Sequence, residues 1–126
     1  MKTLTADQVL FIHYRLISET GGKHGVNDPA GLASILRHTQ ASQEETQSPH
    51  TLFRSAAILL TSLVNASFFN DGNLATAIAV TDLFLRVNGY RLAVDQQSLQ
   101  DVLVKIKQGE MGKSQIERWL SSHACS

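Results

Sequence analysis

Two apolar stretches joined by one short polar turn limit what this chain can become. Leu52 to Val64 contains no glycine or proline and a single charge, Arg54. Asn73 to Val87 is apolar on nearly every side, through Leu74, Ala77, Ile78, Val80, Thr81, Phe84 and Leu85. Runs of this length and character read as helices, and one that is apolar all round belongs in the interior. Asn70-Asp71-Gly72-Asn73 lies between them, and such residues accept left-handed backbone and cap helices. The expected centre of the molecule is therefore helix, tight turn, helix.

That turn has chemical consequences. The backbone N–H groups of Gly72, Asn73 and Leu74 fall at a helix N-terminus, where unpaired amides and the helix dipole favour an anion. Asp71 beside them offers a carboxylate to a divalent cation, and a phosphate carrying Mg²⁺ is the natural ligand of the pair. The same residues read equally well as plain helix caps.

The rest of the chain supplies helices to pack around this centre. Thr5-Ala6-Asp7-Gln8 is a capping box, followed by Val9, Ile12, Leu16 and Ile17 at helical spacing up to about Glu19. His13 and Tyr14 flank that stripe, His13 as a packed or surface residue. Gly21-Gly22 ends the helix. Lys23-His24-Gly25-Val26-Asn27 is a short polar loop. Asp28-Pro29 then starts a second helix, with Asp as cap and Pro in the first position, and Leu32, Ile35 and Leu36 form its buried face. Residues 41–49 are polar without apolar periodicity and read as an exposed, mobile connection, with or without a short helical piece, to a helix opening at Thr51. After the central helix, Asn88-Gly89 is a left-handed stop, and residues 90–94 form an extended piece too isolated for a sheet. Ser98 to Lys107 is amphipathic through Leu99, Val102, Leu103 and Ile106. Ser114-Gln115-Ile116-Glu117 reads as a second capping box, opening a last helix with Ile116, Trp119 and Leu120 inward. The tail after Ser122 is expected to fray. The fold class is all-α: a single domain over residues 1–126, a compact bundle of about six helices around 73–87.

Composition narrows the function classes. With 126 residues, the chain suffices for one core and not two. A formal net charge of zero argues against DNA binding by the chain itself and against an anionic membrane as partner. The apolar run 56–64 is too short to span a bilayer. The N-terminus runs straight into an amphipathic helix rather than a signal peptide, and the lone Cys125 permits no internal disulfide. A cytoplasmic location is the expectation. The histidines lack metal-ligand spacing, and neither a P-loop nor a dinucleotide fingerprint is present.

Three segments resemble a known family. Ser67-Phe68-Phe69-Asn70-Asp71-Gly72-Asn73-Leu74-Ala75-Thr76 resembles the Fic/Doc (Fido) signature His-x-Phe-x-Asp/Glu-Gly/Ala-Asn-Lys/Gly-Arg-Thr, with Phe69, Asp71, Gly72, Asn73 and Thr76 in register. Gly21 to Pro29 resembles the glycine-rich loop of the death-on-curing (Doc) branch, and Leu83 to Gly89 resembles that branch's ending of the central helix. The resemblance implies a domain that uses ATP and Mg²⁺ to transfer a phosphoryl or nucleotidyl group to a protein hydroxyl. It also implies a toxin partnered by an antitoxin segment that folds into a groove. It places His24 near the active-site face, as a candidate for ligand or target contact, and the target-aligning flap in the segment before the signature helix, here 41–49.

The departures bear on chemistry. Ser67 stands where the family has its catalytic His, the general base. Leu74 and Ala75 stand where Doc proteins carry Lys and Arg, which neutralise phosphates. A serine hydroxyl cannot act as a base near neutral pH, and losing two cations removes electrostatic stabilisation from the site. Two expectations follow: a pseudoenzyme retained as a binding module for an antitoxin-like peptide or a nucleotide, or an active Doc-like transferase.

Overall fold

Local rules place the first and fourth helices correctly, and contacts distant in sequence set much of the rest. A computed structural model describes the backbone of residues 2–44 and 49–126, and side chains except those of residues 40–48. Six helices carry the architecture: α1 (Ala6–Thr20), α2 (Pro29–Glu44), α3 (Pro49–Asn65), α4 (Asn73–Val87), α5 (Gln96–Lys107) and α6 (Lys113–His123). A small antiparallel pair joins β1 (Arg91–Leu92) to β2 (Ala124–Cys125).

The start of α1 is the expected box: Thr5 accepts from the Gln8 amide at 3.2 Å, and Gln8 Oε1 accepts from the Thr5 amide at 2.8 Å. Asp28 caps α2 by accepting from the Gly31 amide at 2.9 Å. At the far end of α4, Asn88 secures the N-terminal segment: its carboxamide donates to the carbonyls of Phe84 and Lys2 and accepts from the Lys2 amide, each at 2.8 Å.

The bundle is centred on α3 rather than on 73–87. Leu52, Phe53, Ala56, Ala57, Leu59, Leu60, Leu63 and Val64 of α3 are all buried, and the helix packs against α2, α4, α5 and α6. α4 buries Ala77, Val80, Phe84 and Leu85, but Leu74 in its first turn is 40% exposed. Flanked by four neighbours, α3 leaves only its ends and Arg54 exposed, whereas α4 exposes Leu74 and Ala75 in its first turn.

Other boundaries also differ from expectation. The polar stretch after Gln40 continues α2 as far as Glu44, and α3 opens at Pro49 instead of Thr51; residues 45–48, the rest of that expected connection, lie outside the described residues. Ala, Gln and Glu sustain a helix without an apolar face because their intrinsic propensity is high. α5 begins two residues early because Asp95 accepts from the Ser98 amide at 2.7 Å. The expected capping box of α6 at Ser114 does not form: the N-cap is Gly112, which has no side chain to accept from the first turn, and only the reverse bond is made, its amide donating to Gln115 Oε1 at 2.8 Å. Glu117 instead faces His50 of α3 at 3.2 Å. The C-terminal tail does not fray. Arg91 pairs with Cys125 and Leu92 with Ala124, the Ala93 amide donates to the His123 carbonyl at 2.7 Å, and the ring of His123 stacks on half-buried Trp119 at 4.5 Å. Among the described residues, no helix is long and apolar enough to cross a membrane.

Candidate functional site

The polar turn between α3 and α4 is built from alternating anchors and exposed groups. Phe68 and Phe69 are buried, whereas Ser67, Asn70 and Asp71 are exposed. Anchoring two adjacent aromatic rings fixes the backbone, so the short polar residues are held at the surface in one conformation.

The glycine-rich loop 21–28 is zipped along this turn. Val26 and Phe69 form an antiparallel bridge. The Asn27 amide donates to the Phe68 carbonyl at 2.7 Å, and the Asn70 amide donates to the Gly25 carbonyl at 3.1 Å. Asn27 Nδ2 donates to the Phe69 carbonyl at 3.1 Å, and Asn70 Nδ2 to the His24 carbonyl at 3.0 Å. The ring of His24 lies 5.0 Å from Tyr14 of α1. The extended segment against the turn is thus residues 25–28, and the part of 41–49 that the structure describes continues or opens helices.

Asp71 and Asn73 are both engaged within the turn. Asp71 Oδ1 accepts from the Gly72 amide at 2.9 Å and Oδ2 from the Lys23 amide at 3.3 Å. The Asn73 carboxamide folds back on Phe69, accepting from its amide at 3.1 Å and donating to its carbonyl at 2.9 Å. Neither side chain caps the first turn of α4, whose N-cap is Gly72 in left-handed backbone (φ 72°, ψ 23°) with no side-chain cap. Intrahelical bonding starts with the Thr76 amide on the Gly72 carbonyl at 2.9 Å, so the amides of Asn73, Leu74 and Ala75 have no acceptor within the helix. An oxyanion fits that end of the helix. The Gly72 amide is already satisfied by Asp71.

The fit to a cation is narrower. Each Asp71 oxygen already accepts one amide and keeps a lone pair, and among the described residues no three His, Cys, Asp or Glu side chains cluster as a metal site. Mg²⁺ is commonly held by one or two carboxylates together with substrate phosphates. The turn therefore suits an ion delivered on a phosphate and lacks the ligands for a cage of protein groups alone.

His13 is the member of this site that sequence reasoning left aside. It is 3% exposed, its ring is stacked on Phe69 with centroids 4.0 Å apart and 13° between planes, and Nε2 lies 2.8 Å from the Asp71 carbonyl. A carbonyl only accepts, so this contact assigns the proton to Nε2. A signal was present: Val9, His13 and Ile17, at spacings of four, are the buried residues of α1, and Ile12 and Leu16 are only partly buried.

A groove of about 430 Å³ adjoins the turn, lined by apolar residues of α1 (Leu16), α4 (Leu74, Ala75, Ile78) and α5 (Leu99, Leu103). Leu74 and Ala75 thus belong to two places at once, with their amides at the open end of α4 and their side chains on the groove wall. A profile of the Fic/DOC family matches residues 3–85. The chain is 31% identical over 118 residues to the protein kinase doc of Escherichia phage P1, covering 92% of this chain and 90% of that protein.

Proposed function

The chain belongs to the Fic/DOC family, and on that footing we propose that it is a Doc-like protein of toxin–antitoxin type with a degenerate active site, a pseudoenzyme that acts by binding a protein or a nucleotide. One observation carries the reading: Ser67 before the turn and Leu74 and Ala75 in the first turn of α4 are all exposed, and these side chains offer neither a base nor a cation. Positioned general bases contribute roughly 10²–10⁴ to rate, and each electrostatic donor at a transition state contributes about 10²–10³. Loss at three positions leaves transfer slow beyond use, whereas binding needs only amides and a surface.

In this reading the phosphate of ATP rests on the amides of Asn73 and Leu74, with Gly72 holding the turn, and Asp71 holds the Mg²⁺ that rides on it. The ion supplies charge neutralisation. With no side-chain cation in the first turn, nucleotide affinity is weak. The protein partner is an antitoxin-like segment met in the cytoplasm, laying an apolar helix face into the groove between α1, α4 and α5, a common mode of peptide recognition. The second reading, an active transferase that modifies a protein hydroxyl, is favoured by the match along 92% of the chain to a relative described as a protein kinase.

Calorimetric titration with Mg²⁺–ATP, with Asp71→Ala as control, and a transfer assay on protein targets test the proposal together. The expected result is weak Mg²⁺-dependent binding, lost in the control, without labelled target. Target labelling that requires Asp71 would replace the pseudoenzyme with the transferase.

A further inference from the structure

We propose that His13 is a positioning residue for the open end of α4, holding from beneath the turn that a side-chain cap would ordinarily hold from above; this rests on the reading that the first turn receives an anion. Most helices satisfy an early amide with a Ser, Thr, Asp or Asn at the N-cap. Such a side chain would occupy the place an incoming phosphate needs. Here the N-cap is Gly72, the first turn carries no side-chain cap, and the restraint comes from α1 instead.

The geometry shows how the restraint is transmitted. The Asp71 carbonyl belongs to the peptide unit that also contains the Gly72 amide. Tethering that oxygen to His13 Nε2 at 2.8 Å fixes the plane of this unit, and with it the direction of the Gly72 N–H and the start of the helix. The Gly72 amide in turn holds Asp71 Oδ1 at 2.9 Å, so the aim of the carboxylate depends on the same plane. Stacking on Phe69 at 4.0 Å prevents the imidazole from turning away. Ile17 completes the floor: a Cβ on Gly72 would lie 2.9 Å from Ile17 Cδ1 and 4.0 Å from His13 Cδ2. Without the His13 donor the 71–72 peptide keeps only the Gly72 amide's bond to Asp71 Oδ1, a partner that moves with it, and the amides of 73–75 lose their common direction while the buried core is untouched.

The test uses the full chain labelled with ¹⁵N, with His13→Phe, which keeps the stacked ring and removes the donor, and His13→Gln, which restores one. Inorganic phosphate is titrated while the amides of Asn73, Leu74 and Ala75 are followed, and hydrogen exchange is read at Gly72. The wild-type imidazole is expected to carry its proton on Nε2. His13→Phe should keep its helix content, exchange Gly72 at least tenfold faster, and bind phosphate at least tenfold more weakly, with His13→Gln recovering most of both. A proton on Nδ1, or a His13→Phe protein within twofold of wild type on both measures, overturns the proposal. If wild-type amides ignore phosphate, the anion-binding reading fails by itself, and the tautomer and Gly72 exchange still decide the positioning role. If His13→Phe does not fold, the tautomer and the recovery in His13→Gln decide it.

Discussion

Replacing Gly72 with alanine tests whether the turn is strained by backbone conformation alone or also by contact with α1. Gly72 has φ +72°, and an added Cβ would lie 2.9 Å from Ile17 Cδ1. Left-handed backbone costs an L-residue roughly 1–2 kcal/mol. The obstructing atom is the far end of a side chain only 3% exposed, so it can yield only by disturbing its packing, which adds about 1 kcal/mol, the low end of overpacking costs. Gly89, with φ +93° and nothing within 4 Å of its added Cβ, supplies the control, because Gly89→Ala meets the conformational cost alone. The expected losses by urea denaturation are about 2–3 kcal/mol for Gly72→Ala and about 1–2 kcal/mol for Gly89→Ala. For a chain of this length, 1 kcal/mol corresponds to roughly 4 °C in Tm. Ile17→Val removes the obstructing methyl, at about 1 kcal/mol on its own, and should make the double variant with Gly72→Ala less destabilised than the two losses added. Equal losses at Gly72 and Gly89, together with strict additivity with Ile17→Val, would refute the contact argument.

Asn88→Ala removes the three hydrogen bonds that tie Lys2 and Phe84 together, and should cost about 2 kcal/mol while speeding amide exchange around Leu4. A loss below about 0.5 kcal/mol would mean that solvent replaces those bonds. The Ser98 amide beside Asp95 holds its carboxyl below the ordinary 3.8, helped by the Ser98 side chain. A depressed folded pKa stabilises the native state above pH 3.8 and loses that contribution as pH falls through the folded midpoint. A ¹³C titration of Asp95 should therefore show a midpoint below 3.8, and one at or above it contradicts the capping role.

What could be read from the sequence was local. The bounds of α4, the Thr5–Gln8 box and the Asp28-Pro29 start depend on neighbours within four residues, and all three stand in the structure. The turn 70–73 and its family resemblance were equally legible, because backbone conformation there is dictated by residue type. Contacts between distant residues were not. The pairing of 25–28 with the turn, the burial of His13 under Asp71 and the closing of Arg91–Leu92 by Ala124–Cys125 join residues 32 to 58 positions apart. No periodicity reports which partner such a residue will meet. α3 and α4 looked alike as apolar helices, and only packing decided that α3 would be enclosed while α4 keeps Leu74 and Ala75 on an open groove. Sequence specified the turn; the tertiary structure decided what holds that turn in place, because the holding groups come from a helix and a loop that folding alone brings beneath and beside it.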